Sequence, residues 1–215
     1  ADVTQAICTG NTFTVTPTNT APDVVPTGTT YTWTVTTPAG ITGASDQATA
    51  QTSISQTLTN ATSNSIVVTY TVTASFGTAP NVCTDTFTIA VTVNPQPSIA
   101  DVVQTICSGD TFTVTPTNTA PNVVPTGTTY TWTVTTPAGI TGASNQATAQ
   151  TSISQTLTNT TSTSLSAIYT VTASVGTAPN ICTDTFDITV TVNPKPSIAD
   201  VTQAICTGNT FTVTP

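Results

Sequence analysis

The chain repeats itself with a period of 99 residues. The segment ADVTQAIC at residues 1–8 returns as ADVVQTIC at 100–107 and as ADVTQAIC at 199–206. Residues 1–99 align with residues 100–198 without a gap and agree at most positions. A period of this length is too long for a solenoid coil or a propeller blade, and it matches one independent β-sandwich. The sequence therefore predicts tandem domains of one kind.

Two proline-rich segments mark the ends of the repeats, VNPQPSIAD at 93–101 and VNPKPSIAD at 192–200. A Pro-x-Pro pair favours extended polyproline II geometry, which acts as a short, stiff spacer. The predicted linker prolines are Pro95, Pro97, Pro194 and Pro196. We predict domains at 1–97 and 98–196, then the start of a third, truncated repeat at 197–215, arranged as a rod of about 35–45 Å per domain.

The third copy indicates a larger repeating unit. The first two copies differ at four of the positions that the third copy covers, and the third matches the first at all four. These positions are Thr202, Ala204, Thr207 and Asn209. The sequence thus predicts a two-domain unit of 198 residues that itself repeats.

Apolar and polar residues alternate along most of each repeat. In TFTVTP (12–17) threonine alternates with apolar residues, and in TTYTWTVTT (29–37) it alternates with Tyr31, Trp33 and Val35. Alternation with a polar threonine face is typical of half-buried antiparallel strands, and no segment has a helical period. We predict an all-β fold of tandem antiparallel β-sandwiches, each made of two sheets. The predicted core aromatics are Phe13, Trp33, Tyr70 and Phe87, with Phe112, Trp132, Tyr169 and Phe186 as their counterparts.

Each full repeat carries two cysteines. Cys8 precedes the first core strand and Cys83 precedes the last, and these two points can be neighbours in a sandwich. We therefore predict disulfides Cys8–Cys83 and Cys107–Cys182, and an extracellular setting because such bonds persist in oxidising compartments. Cys206 is left without a partner by truncation, since its partner is expected beyond the last residue.

The composition lacks the groups that catalysis and metal binding use most. The chain has no His, Glu or Arg, its one basic residue is Lys195, and its nine acidic residues are all Asp, with a net charge of −8. We predict no catalytic, cofactor or metal site, hence no enzyme, no nucleic-acid partner and no direct membrane insertion. Calcium at the domain joints is an alternative that would use Asp2, Asp101 or Asp200.

Two tripeptides fit the N-glycosylation sequon, Asn60-Ala-Thr62 and Asn159-Thr-Thr161. The motif has a consequence only in a eukaryotic secretory pathway and only for an accessible asparagine.

Several stretches resemble a known family: ICSGDTFTVTPTN (106–118), VPTGTTYTWTVTTPAGITG (124–142), QTSISQTLTN (150–159) and TVTVNPKP (189–196). They are similar to the PKD-like, immunoglobulin-like repeats of very large secreted surface proteins of Bacteroidota, which are often linked to gliding motility and type 9 secretion. The resemblance covers both full copies and the third fragment. It implies a repeat-bearing adhesin or filament at the bacterial cell surface, with this chain as a stalk.

Three functions follow from the sequence. The first is structural: a stalk or filament segment of a giant adhesin, built from sandwiches that are each stabilised by a disulfide. Its partners would be the neighbouring repeats and like chains in a filament. In the second, the repeats themselves bind a surface glycan or a protein through their loops. In the third, residues 199–215, which copy the first two strands, join chains by strand addition.

Overall fold

The computed structural model describes residues 1–213. The secondary-structure elements in those residues are all β-strands. The first repeat contains β1 (Val3–Cys8), β2 (Thr12–Val15), β3 (Thr30–Thr36), β4 (Ile41–Thr42), β5 (Gln47–Gln51), β6 (Ile54–Thr57), β7 (Thr59–Asn60), β8 (Ile66–Thr78) and β9 (Asn81–Asn94). The second contains β10 (Val102–Cys107), β11 (Thr111–Val114), β12 (Thr129–Thr135), β13 (Ile140–Thr141), β14 (Gln146–Gln150), β15 (Ile153–Thr156), β16 (Thr158–Asn159), β17 (Leu165–Val175) and β18 (Cys182–Asn193).

Each repeat is a two-layer sandwich. A five-stranded sheet has the order β1-β9-β8-β3-β5 in the first repeat and β10-β18-β17-β12-β14 in the second. The opposite layer consists of two short antiparallel pairs, β2–β6 and β4–β7, which recur as β11–β15 and β13–β16. The all-β, tandem-sandwich prediction is confirmed.

One strand pair differs from the predicted antiparallel arrangement. β1 runs parallel to β9, with a register from Val3 opposite Ile89 to Cys8 opposite Asn94. β10 and β18 repeat this parallel register. Parallel partners need a long connection between them, and here the remaining strands of the repeat supply it. The first strand of a repeat therefore points in the same direction as the last.

The alternating apolar residues fill the space between the layers. Val72, Ile89 and Leu58 are fully buried, and the rings of Phe13 and Tyr70 lie 5.1 Å apart. Seven of the eight predicted core aromatics are buried, and Phe87 is half-buried against the same cluster. Burial of such side chains contributes roughly 1.5–3 kcal/mol each relative to exposure.

A polar cluster fastens the second layer to the main sheet. The Oε1 atom of Gln56 accepts hydrogen bonds from the Tyr70 hydroxyl at 2.8 Å and from Ser45 N at 3.1 Å. The Ser45 carbonyl in turn accepts from Trp33 Nε1 at 3.1 Å. Neighbouring Gly43 has a φ of +90°, and a Cβ there would collide with the Thr57 carbonyl oxygen. The turn therefore requires glycine.

The segment after the second repeat has no strand within its described residues, 194–213. Its turn is nevertheless that of the full repeats: Asn209 N donates to Cys206 O at 3.1 Å, as Asn11 N does to Cys8 O at 3.1 Å. This turn is therefore local to the sequence, whereas the flanking strands need the rest of a domain to form.

We expect stability to fall above pH 10. Burial raises the pKa of the Tyr70 and Tyr169 hydroxyls well above the ordinary value of 10.0. The unfolded chain then loses these protons first, so stability is unchanged below about pH 10 and declines as the pH rises further. Urea midpoints between pH 8 and 11.5, with free thiols alkylated, measure this decline.

The double variant Tyr70→Phe/Tyr169→Phe is the control for that titration. It removes both hydroxyls and should flatten the alkaline decline, leaving the part due to Tyr31 and Tyr130, whose pKa values are also raised by burial. An alkaline slope unchanged in the double variant contradicts the assignment.

Candidate functional site

One disulfide joins the two repeats. Cys8, at the end of β1, is bonded to Cys182, at the start of β18, with Cα atoms 5.6 Å apart and a sequence separation of 174. Cys182 is buried at 2% exposure. The predicted pairs Cys8–Cys83 and Cys107–Cys182 are therefore wrong, and within residues 1–213 Cys83, Cys107 and Cys206 are free and exposed.

Strand direction explains why the pairing within a repeat fails. Cys8 lies opposite Asn94 in the parallel pair, whereas Cys83 lies eleven residues earlier along β9. At about 3.3 Å per residue this puts them about 36 Å apart. A disulfide needs Cα atoms within about 7 Å. The two cysteines of one repeat thus lie at opposite ends of its domain. The first cysteine of one repeat comes close to the second cysteine of the next repeat where the two repeats adjoin.

The linker is paired with the second domain. Ser98 N donates to Val123 O at 2.9 Å, and Val123 N donates back to Ser98 O at 2.8 Å. Gln96 Nε2 donates to Thr183 O at 2.7 Å, next to the disulfide. The predicted stiff spacer is therefore bound in place by backbone hydrogen bonds. We call residues 95–100, together with Cys8 and Cys182, the joint.

The apolar side chains of the linker are buried in the joint. Pro95 and Pro97 are both buried. Ile99 is 7% exposed and belongs to the buried core cluster of the second domain. Its counterpart Ile198, after the second domain, is 69% exposed, and Pro196 is exposed as well. The linker thus contributes to the core of the domain that follows it.

A buried asparagine organises the end of the first domain that faces the joint. Asn60 is 5% exposed, and its Nδ2 donates to Val93 O at 2.9 Å and to Asn64 O at 2.7 Å. Its Oδ1 accepts from the amide and the hydroxyl of Thr62. Asn159 makes the same contacts in the second domain. The asparagine of each sequon therefore belongs to a structural hydrogen-bond network. The folded repeat leaves neither side-chain amide accessible for glycosylation.

The acidic residues proposed as calcium ligands are bonded to the backbone. Asp2 Oδ1 accepts from Thr88 N at 2.9 Å, and Asp101 Oδ1 accepts from Asp187 N at 2.8 Å. The hydrogen bond from Thr88 lowers the pKa of Asp2 below its ordinary value. Among the described residues there is no group of three or more His, Cys, Asp or Glu side chains that could hold a metal ion. Asp200 lies in the segment after the second repeat, and its side chain is exposed.

The two tryptophans lie inside their sandwiches. Trp33 and Trp132 are 5% and 6% exposed, and each indole nitrogen donates to a backbone carbonyl, Ser45 O and Ser144 O. Sugar stacking requires an exposed aromatic face, which neither residue offers. No helix in the described residues is both long enough and apolar enough to cross a membrane.

We expect Ile99→Ala to destabilise the second domain by about 2–4 kcal/mol, because it removes a buried side chain from that domain's core. Ile198→Ala is the matched control and should change stability by no more than about 0.5 kcal/mol, since Ile198 is exposed. Urea unfolding followed by near-ultraviolet circular dichroism measures both. Equal effects of the two substitutions contradict the placement of Ile99 in the core.

Solved structures similar to this chain include several multidomain proteins. A SusE-like, surface-located polysaccharide-binding protein from the Bacteroides thetaiotaomicron heparin utilisation locus is 14% identical, covering 90% of this chain and 33% of that one, with a TM-score of 0.31. An I-band fragment of titin is 12% identical over 89% of this chain and 63% of that one, with a TM-score of 0.33.

The three N-terminal domains of the bacteriophage RB49 outer capsid protein Hoc are 7% identical, covering 91% of this chain and 68% of that chain, with a TM-score of 0.38. The chain spans about a third of the first of these structures and under two thirds of the titin fragment. At these TM-scores the similarities carry no argument about function. A comparison with curated proteins gives no match.

A family model for the PKD-like domain matches the chain twice, over residues 5–97 and 104–196. The two matches are offset by the 99-residue period of the sequence and together cover most of the chain. They coincide with the two five-stranded sheets and their short second layers. The chain therefore belongs to the PKD-like domain family, as two tandem copies of that domain.

Proposed function

We propose that this chain is a load-bearing segment of a large extracellular or bacterial cell-surface stalk or filament, such as that of an adhesin. The observation that carries the proposal is the Cys8–Cys182 disulfide, which connects two neighbouring domains. A disulfide inside each domain would stabilise the domains and leave the joint as a single peptide strand. A disulfide between domains makes the joint doubly covalent.

The bond determines where tension runs. When the chain is pulled from its two ends, force enters β1, crosses from Cys8 to Cys182 and continues along β18. The loop between the two cysteines, residues 9–181, holds most of both domains and carries none of the covalent load. Without the bond, complete unfolding of that loop would release about 600 Å of chain at about 3.5 Å per residue.

The backbone between Cys83 and Cys107 is already extended. It comprises β9, the bound linker and β10, all of which run in one direction from the outer end of the first domain to the outer end of the second. These 24 residues span about 80 Å at about 3.3 Å per residue. If every joint of an array carried the same bond, disulfides would connect such segments into one continuous path for tension. This path would have little extra chain length to release under load.

The disulfide supports an extracellular location, and the composition supports a structural role. A buried structural disulfide persists in oxidising compartments and is rare in reducing ones. The chain has no His, Glu or Arg for acid–base chemistry, and its tryptophans are buried. These features favour a structural role over catalysis and over sugar binding by the repeats.

Single-molecule force spectroscopy tests the proposal. With handles at the two chain ends, the oxidised chain should show no release of the loop at residues 9–181. The double variant Cys8→Ser/Cys182→Ser should release about 600 Å in domain-unfolding steps, because tension then passes through both domains. Cys206→Ser is the matched control and should behave as the unaltered chain does. A full-length release in the oxidised chain overturns the proposal.

A further inference from the structure

The linker runs beside the Cys8–Cys182 bond from the first domain to the second. Asn94, the residue before the linker, lies opposite Cys8 in the β1–β9 pair. Two residues later, Gln96 donates from its Nε2 to the carbonyl oxygen of Thr183, at 2.7 Å, and Thr183 is the residue after Cys182. The disulfide and residues 94–96 therefore connect the same two points of the two domains.

Hydrogen bonds hold the backbone on both sides of the disulfide. Thr9 N, next to Cys8, donates to Asn94 O at 2.9 Å, and the Thr9 hydroxyl accepts from Asn60 N at 2.7 Å. On the other side, Cys182 lies opposite Val175 in the β17–β18 pair. The two cysteines are thus fixed at the ends of paired strands, so the disulfide has little freedom to turn out toward solvent.

Two clefts flank the linker. One has a volume of about 210 Å³ and a lining that includes Pro95 and Val175, and the other has a volume of about 350 Å³ and a lining that includes Gln96. Neither lining, drawn from residues 1–213, includes Cys8 or Cys182. A small thiol that enters either cleft therefore meets the linker before it meets the disulfide.

The bond itself is largely covered. Cys182 is 2% exposed and Cys8 is half-buried. Pro95 and Pro97, which lie on either side of Gln96, are both buried. Reduction of a disulfide requires a thiolate to reach one of its two sulfur atoms, and the rate depends on that access. The position of the linker thus bears directly on how fast this bond can be reduced.

We propose that residues 95–97, which we call the strap, hold thiol reductants away from the Cys8–Cys182 bond, so that the bond is reduced only after the strap has opened. Opening breaks the hydrogen bond from Gln96 to Thr183 and exposes the two buried proline rings to water. This goes beyond the proposed function, because it concerns the access of a reductant to the bond and requires no tension on the chain.

The reaction that the strap controls is thiol–disulfide exchange with a dithiol such as dithiothreitol. One thiolate of the reagent attacks a protein sulfur and forms a mixed disulfide, and the other protein sulfur leaves as a thiolate. The second thiolate of the reagent then attacks the reagent's own sulfur in the mixed disulfide and releases the second protein thiolate. The protein disulfide is reduced to two thiols, and the dithiol is oxidised to a cyclic disulfide.

Opening of the strap and unfolding of a domain predict different responses to urea. The urea dependence of an opening reaction scales with the surface that it exposes. The strap exposes only a few residues, whereas a domain exposes its whole core. Reduction through the open strap should therefore proceed below the unfolding transition at a rate that hardly changes with urea concentration.

The test follows reduction of the full chain by dithiothreitol. Iodoacetamide first blocks the thiols of Cys83, Cys107 and Cys206 in the native chain. New thiols are then trapped with N-ethylmaleimide and counted by intact-mass spectrometry, two for each reduced bond. We expect the native chain to be reduced at least about a hundredfold more slowly than the same chain in strong denaturant, where the bond is fully accessible.

Variants of the strap show whether it provides this protection. Pro97→Gly removes a buried ring and makes the extended backbone more flexible, so it should speed native reduction about tenfold. Gln96→Ala removes the hydrogen bond to Thr183 and should speed it about threefold. Pro196→Gly is the matched control, because Pro196 has the equivalent position after the second domain and is exposed. It should leave the rate unchanged, and all three variants should match the unaltered chain in denaturant.

Each of three results overturns the proposal. The first is native reduction as fast as reduction in denaturant, and the second is an equal rate for Pro97→Gly and Pro196→Gly. The third is a native rate that rises with urea as steeply as domain unfolding does, since the domain and not the strap would then control access. Force plays no part in this measurement, so fast reduction contradicts the strap and leaves the load path through the bond unaffected.

Discussion

In each repeat the first strand runs parallel to the last, and this pairing determines how the repeats are connected. The ladder from Val3 opposite Ile89 to Cys8 opposite Asn94 puts the first cysteine of the repeat at the far end of its last strand. The second cysteine starts that same strand at the near end. A bond within the repeat is therefore excluded by length, and the bond between neighbours follows where the far end of one domain meets the near end of the next.

The joint combines three kinds of interaction. The Cys8–Cys182 disulfide is covalent, Ser98 and Val123 exchange two backbone hydrogen bonds, and Ile99 is buried in the core of the second domain. Each restrains the same few residues. Hinge motion would have to break the hydrogen bonds and expose Ile99 while the disulfide holds the two ends together, so we expect a joint with little freedom to bend.

The sequence predicts the strands well because threonine and apolar residues alternate so regularly along them. It does not reveal β5 (Gln47–Gln51), where neither face is fully buried and the alternation carries no apolar signal. Alternation reports which face a residue lies on and contains no information on strand direction. This is why the sequence does not predict the parallel β1–β9 pair and places the disulfides within repeats.

The sequence does not show two further features, one in the joint and one beside it, for related physical reasons. A Pro-x-Pro segment has the same extended backbone whether it is free or bound, so its composition predicts a spacer and cannot indicate that Pro97 and Ile99 are buried. Asn60 matches a sequon, and only the fold shows that its amide is consumed by contacts to Val93 and Thr62. The repeat itself is the most informative signal, since it defines the two domains and the equivalent positions in them.

The central claim is that the disulfide connects neighbouring domains. Mass spectrometry of a non-reduced digest, after the free thiols have been alkylated, tests it most directly. We predict one disulfide-linked peptide pair that contains Cys8 and Cys182, with Cys83, Cys107 and Cys206 recovered as alkylated thiols in the monomer. Recovery of Cys8 linked to Cys83, or of Cys107 linked to Cys182, would contradict the account.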